Sequence, residues 1–150
     1  MPSHFAPGSG SPKLGRLGES LGAPVHWVPA RAEAWRLLRA FDLYFSTSIS
    51  EGLPNAPLEA AALGIPVLLS DVQGNRDVLV DGRTGRLFAP DDVREAAQRI
   101  REFLAGEWEP FFPAAAEALL ASFSLDQQAQ RLAELYRSLA PAASGRKAPR

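Results

Sequence analysis

Two carboxylates, Glu51 and Glu59, are the residues whose type and spacing offer chemistry most directly. Between them stand Gly52-Leu53-Pro54-Asn55-Ala56-Pro57-Leu58, where one glycine and two prolines mark a turn and then the start of a helix. A separation of eight positions is arbitrary along a single helix, but across a loop and the helix after it the same spacing can hold both carboxylates at one rim of a sheet. A helix start offers unpaired backbone N–H groups and a partial positive charge, which together suit a phosphate. Two acceptor-rich groups beside it could grip hydroxyls on either side of a diphosphate. Each carboxylate also has a plainer role. An acidic residue near a helix N-terminus stabilises the helix dipole by about 0.3–1 kcal/mol whatever the function, and Glu51 alone is a loop carboxylate. Spacing by itself leaves both roles open.

Composition closes off several other chemistries. Without cysteine there is no disulfide, no thiol nucleophile and no cysteine-ligated zinc. His4 and His26 are the only histidines and lie 22 residues apart, so no metal cofactor is expected. Gly8-Ser9-Gly10 lacks the third glycine and the preceding strand of a phosphate loop, and reads as linker. A net charge of −1 argues against a nucleic-acid partner, since polyanion binders carry a basic surplus. No apolar run approaches the roughly 20 residues of a membrane span, and the start lacks the basic-then-apolar layout of a signal peptide. The expected location is the cytoplasm, or the cytosolic face of a membrane. With 150 residues, 46% of them hydrophobic and 22% charged, the chain has the makeup of one ordinary globular domain.

The elements that must position the carboxylates follow from periodicity. Residues 1–24 read as a loop with a short helix over Lys13–Leu21, a partial first unit of the fold. Val25–Val28 has the apolar character of a buried strand, with His26 packed within it. Trp35, Leu38 and Phe41 form a helical stripe within Ala32–Phe41, and Asp42–Thr47 is an aromatic-rich run of strand length. Pro57–Leu63 is expected to be a helix stopped at Gly64, followed by a strand over Ile65–Leu69. Asn75 is placed as the cap of a brief helix reaching Val80, and Leu87-Phe88 as a short strand. Asp92 with Glu95 caps a helix that turns Val93, Ala96, Ile100, Phe103 and Leu104 inward. A helix over Pro113–Ala121 precedes one opened by Ser124-Leu125-Asp126-Gln127, with Ala129, Leu132, Leu135, Tyr136 and Leu139 as its apolar stripe. The 141–150 tail, rich in Pro, Ala, Gly and basic residues, is expected to be disordered. Strands alternating with helices through short loops predict an α/β fold, a Rossmann-like parallel sheet flanked by helices.

In such folds ligands bind beyond the carboxyl ends of the strands, where the loop 46–55 falls. Ser48-Ile49-Ser50-Glu51-Gly52-Leu53-Pro54-Asn55-Ala56-Pro57-Leu58-Glu59-Ala60 closely resembles the E-x7-E segment of family 4 (group 1) glycosyltransferases. The resemblance continues through Ala62-Leu63-Gly64-Ile65-Pro66-Val67, Ser70-Asp71-Val72-Gln73-Gly74-Asn75-Arg76-Asp77 and Asp81-Gly82-Arg83-Thr84-Gly85, to Phe123-Ser124 and Leu135-Tyr136. Upstream, Val25–Val28 and Ala40-Phe41-Asp42 fit the same pattern, so that roughly residues 25–140 are covered in the family's order. Gln73 and Asp77 depart from the glycine and glutamate frequent at those positions.

The resemblance implies a retaining, metal-independent transferase of the GT-B type. Its members face two Rossmann-like lobes across a cleft and hold a nucleotide-diphosphate sugar in the C-terminal one. This chain corresponds to that C-terminal lobe, truncated on its N-terminal side. The position matched by Glu51 lies near the donor sugar and diphosphate and is the catalytic candidate. That matched by Glu59 hydrogen-bonds the ribose. The backbone around Gly52, Leu53, Pro54 and Asn55 approaches the sugar and phosphates. The Arg and Lys that neutralise the family's diphosphate have no clear match, Lys13 and Arg16 lying in a different context. The acceptor lobe is absent, so the lone chain is expected to be inactive and to self-associate through surfaces left uncovered. The alternative is a non-catalytic nucleotide-sugar-binding or interaction module of the same fold. A sugar-nucleotide epimerase on a two-lobed fold fits the motifs less well.

Overall fold

A computed structural model describes residues 16, 18–22, 28, 32–108 and 112–139. The chain forms two compact units, Met1–Leu37 and Leu38–Arg150. In the first, the backbone is helical at Arg16 and at 18–20, within the helix expected over Lys13–Leu21. Helix α1, Trp35–Leu38, begins after a turn in which Arg36 pairs with Glu33 at 3.0 Å and stacks over Trp35 at 5.4 Å. It is shorter than the predicted Ala32–Phe41, and Trp35 and Phe41 are exposed while Leu38 is buried. A stub of one turn has no face long enough to bury a stripe. Gly8-Ser9-Gly10, Lys13, the strand expected over Val25–Val28 apart from Val28 itself, and the 141–150 tail lie outside the described residues.

The second unit is built on a parallel three-stranded sheet of order β1-β2-β3, comprising Tyr44–Ser46, Val67–Ser70 and Gly85–Phe88. Tyr44 pairs with Val67 and Val67 with Gly85, which sets the register of the whole sheet. The strands differ from the expected ranges by a few residues at their ends. Between them run α2, Asn55–Ala62, and α3, Gln73–Asp77; α4, Val93–Leu104, α5, Pro113–Ser122, and α6, Leu125–Leu139, follow. Helix α2 starts two residues earlier than Pro57 and ends as expected, with Gly64 N–H reaching Ala61 O and Ile65 N–H reaching Ala60 O.

The sheet is covered on both faces, as a parallel sheet requires. Val67 and Leu69 of β2 face Leu38, Ala60, Ile65, Val78 and Leu79, whereas Leu68 between them faces Phe88 and Ala96. Asp92 caps α4 by accepting from the N–H groups of Arg94 and Glu95, at 3.0 and 2.9 Å. The Glu95 side chain accepts instead from Ala89 N–H at 2.7 Å.

Three expectations are corrected. Asn75 is not a cap: Val72 holds that position and Asn75 lies inside α3, fully buried, because its amide is needed within the fold. Val93 and Leu104 are exposed, since they sit in the end turns of α4 while the sheet meets its middle at Ala96 and Ile100. Helix α6 is amphipathic as predicted, yet none of its residues is buried, and Leu132, Leu135, Tyr136 and Leu139 are exposed.

Gly85 is where the sheet leaves no room. A Cβ there would collide with the Val67 carbonyl oxygen and lie 2.6 Å from Val67 Cγ2, in backbone that cannot yield without breaking the ladder. Gly85→Ala is therefore expected to lose about 2 kcal/mol or more of stability, measured by urea denaturation; an unchanged midpoint would show that the strands separate freely.

Candidate functional site

The loop after β1 and the start of α2 form the candidate site. Pro54 is the N-cap, in extended conformation at φ −76° and ψ 113°, and no side chain caps the helix. Four N–H groups normally stand unpaired at a helix start. Here Pro54 and Pro57 contribute none, so Asn55 and Ala56 carry the donors of this helix end. Glu59 is the fifth residue of α2 and exposed, and the first turn holds no acidic residue. Dipole stabilisation fades beyond the first turn, so the plainer role for Glu59 loses its support.

Glu51 and Glu59 both act electrostatically on one residue. Tyr44, half-buried on β1 on the side that packs against the Ala60–Val67 cluster, has its phenol pushed above the usual tyrosine range. Burial is the main cause, followed by the negative charges of Glu51 and then Glu59. Both carboxylates thus lie within electrostatic reach of one hydroxyl. Gly52, Leu53 and Asn55 are exposed around them, whereas Pro54 is buried and anchors the loop. Tyr44 went unnoticed in the sequence; its signal was strand alternation, which places Tyr44 and Ser46 on one side and Phe45 on the other.

The loop is tied from below. Ser70, at the end of β2, donates from its hydroxyl to the Ser48 carbonyl, and Ser46 and Ser48 hydroxyls meet at 3.2 Å. Asn75 donates through Nδ2 to the Ser70 carbonyl at 2.8 Å and to its Oγ at 3.3 Å. On the sheet face opposite Tyr44, a cavity of about 350 Å³ opens beside the same loop, between Phe45, Ser48, Ile49, Phe88, Asp91 and Val93.

Cations are scarce here. Arg76 is engaged by Asp71 through Nε and Nη2, at 2.5 and 3.0 Å, and the pairing lowers the Asp71 carboxyl's affinity for protons. Lys13 lies outside the described residues, and Arg16 belongs to the other unit. Among the described residues no group of three acidic or histidine side chains could hold a metal ion. Nor is any helix among them long and apolar enough to cross a membrane.

The shared reach of the carboxylates is open to direct titration. In a Tyr136→Phe background, which leaves Tyr44 as the one tyrosine, Glu51→Gln and Glu59→Gln should each move the phenolate transition at 295 nm to lower pH. The larger step is expected for Glu51→Gln, and part of the elevation should persist because burial remains. The sign implies that folding stability falls as pH rises through the raised transition, since the folded state holds that proton more tightly than the unfolded one. A transition indifferent to both substitutions would separate the carboxylates from the phenol.

Residues 14–117 match the family described as glycosyl transferases group 1. Over 107 residues the chain is 33% identical to the lipopolysaccharide core biosynthesis mannosyltransferase LpsB of Rhizobium meliloti (strain 1021), covering 67% of this chain and 30% of that protein. Among solved structures, the lipopolysaccharide outer core galactosyltransferase WaaB superposes with a TM-score of 0.75 at 22% identity, covering 85% of this chain and 38% of WaaB. HepE of Anabaena in complex with UDP superposes with a TM-score of 0.68 at 26% identity, covering 84% of this chain and 36% of HepE. The chain therefore spans between 30% and 38% of the length of these relatives. By its family match the chain belongs to the group 1 glycosyltransferases, and its parallel α/β architecture matches part of the fold of their GT-B members.

Proposed function

We propose that this chain is the donor-binding C-terminal lobe of a retaining glycosyltransferase, holding a nucleotide-diphosphate sugar between Glu51, the start of α2 and Glu59. One observation carries the proposal: two carboxylates share the surroundings of Tyr44, with a side-chain-free helix start between them in sequence. The N–H groups of Gly52, Leu53, Asn55 and Ala56 are the donors available to the diphosphate; Pro54 contributes shape alone. Glu59 accepts from the ribose hydroxyls, and Glu51 stands beside the sugar. HepE, 26% identical, has been solved with UDP and with UDP-glucose, which supports a nucleotide sugar as the ligand class.

In the proposed reaction the bond between the anomeric carbon and the diphosphate oxygen breaks. The acceptor hydroxyl attacks the same face and passes its proton to the departing diphosphate, which takes the bonding electrons. Its charge then falls on the N–H groups of α2, where fixed donors stabilise it without reorganising. No metal takes part in this scheme. The acceptor hydroxyl is held by a second, N-terminal lobe, in keeping with a chain that spans only part of its relatives. That lobe, or a second copy of the chain, would cover the apolar side of α6. The proposed setting is synthesis of a glycan or polysaccharide on the cytosolic side. A non-catalytic module on the same fold is favoured by one feature, the engagement of Arg76 by Asp71, which leaves the loop without a free cation from α3.

Calorimetry or ligand-observed NMR with UDP-glucose and UDP separates the roles. The chain should bind both weakly and transfer no sugar, because nothing orients an acceptor. Glu59→Gln should weaken both ligands about tenfold, while Glu51→Gln should weaken UDP-glucose by a similar factor and leave UDP nearly unchanged. Binding should survive EDTA. Equal losses for both ligands in both variants, or turnover by the isolated chain, would refute the assignment.

A further inference from the structure

Two adjacent residues of α3 reach the site loop at different points, and neither has a part in the chemistry above. Gly74 is buried, and an ideal Cβ built on it would strike the Gly52 carbonyl oxygen, lie 2.5 Å from the Glu51 carbonyl oxygen and 2.8 Å from the Glu51 carbonyl carbon. Ordinary van der Waals contact begins at 3.4 Å, so the Glu51-Gly52 peptide rests directly on bare helix backbone. Asn75 is 1% exposed and spends its Nδ2 donor on Ser70, whose hydroxyl in turn holds the Ser48 carbonyl. The helix that carries both is pinned to the end of β2 by the Arg76–Asp71 pair.

We propose that Gly74 and Asn75 are positioning residues of the donor loop, Gly74 setting the height of the Glu51-Gly52 peptide by having no side chain, and Asn75 fixing Ser48 through Ser70. This rests on the donor-site assignment for its purpose, though not for its geometry. Short polar loops do not hold one conformation unaided, and a carboxylate must be placed to within about 1 Å to serve a reacting sugar. Contact at Glu51-Gly52 and a tether at Ser48 restrain the loop on both sides of Ile49-Ser50. Any side chain at position 74 lifts the peptide by roughly the missing 1 Å and moves Glu51 with it.

The test uses two variants of the whole chain, labelled with ¹⁵N. If Gly74 were merely a helical glycine, Gly74→Ala would raise the denaturation midpoint, since alanine is the better helix former. As a spacer, it should instead shift the amide resonances of Glu51, Gly52 and Leu53 in the ligand-free protein, and weaken UDP-glucose binding at least tenfold. Ser70→Ala keeps the bond from Asn75 to the Ser70 carbonyl but cuts the tether to Ser48; it should lower the heteronuclear NOE of residues 48–52 and leave β2 unchanged. Loop resonances that stay at wild-type positions in Gly74→Ala would overturn the proposal. So would a Ser70→Ala loop as rigid as the parent, and that variant decides the matter if Gly74→Ala does not fold. Failure of the donor assignment looks different: the wild type would ignore UDP-glucose while the ligand-free loop still responded to both substitutions.

Discussion

Strand β2 is the constraint on which the rest depends. Val67, Leu68 and Leu69 are wholly buried, and each pairs with a neighbour on either edge. A strand enclosed on both faces reads as a near-continuous apolar run, closed here by the hydrogen-bonded Ser70, and is flanked by helices, because its odd and even side chains bury against different layers. The two layers supply the pieces of the site. Helix α2 lies on one face with Glu59, and α4 lies on the other beside the cavity at Phe45 and Phe88. The loop bearing Glu51 crosses the strand ends between them. Gly85 belongs to the same constraint, since β3 approaches β2 so closely that only hydrogen fits there.

Electrostatics at the rim are negative where an anionic ligand is proposed, and the opposing effects can be ranked. Burial raises the Tyr44 phenol most, and the negative charges of Glu51 and then Glu59 add to it. Against them stand the fixed N–H groups of α2, a partial charge equivalent to about half an electron, thinned by the two prolines at Pro54 and Pro57. Such a site suits hydroxyl groups at the carboxylates and a phosphate at the helix, and needs further positive charge to hold a diphosphate tightly. Arg76 does not supply it, as Asp71 already holds its guanidinium.

The apolar residues of α6 show what a domain leaves open when its helices exceed its sheet. Leu132, Leu135, Tyr136 and Leu139 follow one side of a 15-residue helix, and all four stay exposed. Amphipathicity of this kind is stabilising only when something covers it.

Much of the fold was legible in the residues. Short apolar runs between helical patterns predicted the parallel α/β sheet, Asp92 its cap on α4, and Gly64 the end of α2, because each depends on local propensity or a nearest-neighbour hydrogen bond. The ordered string from Ser48 to Gly85 likewise pointed to the glycosyltransferase family before any coordinates. What tertiary structure alone decided were the contacts between segments far apart in sequence. Asn75 looked like a cap and is a buried donor to Ser70; Tyr44 carried no sign that it feels the charge of both carboxylates; nothing local marked Gly74 as the support of the Glu51-Gly52 peptide. Local sequence encodes which backbone shape a segment prefers. Which atoms it must leave room for, or pair with, is set by the segment that packs against it.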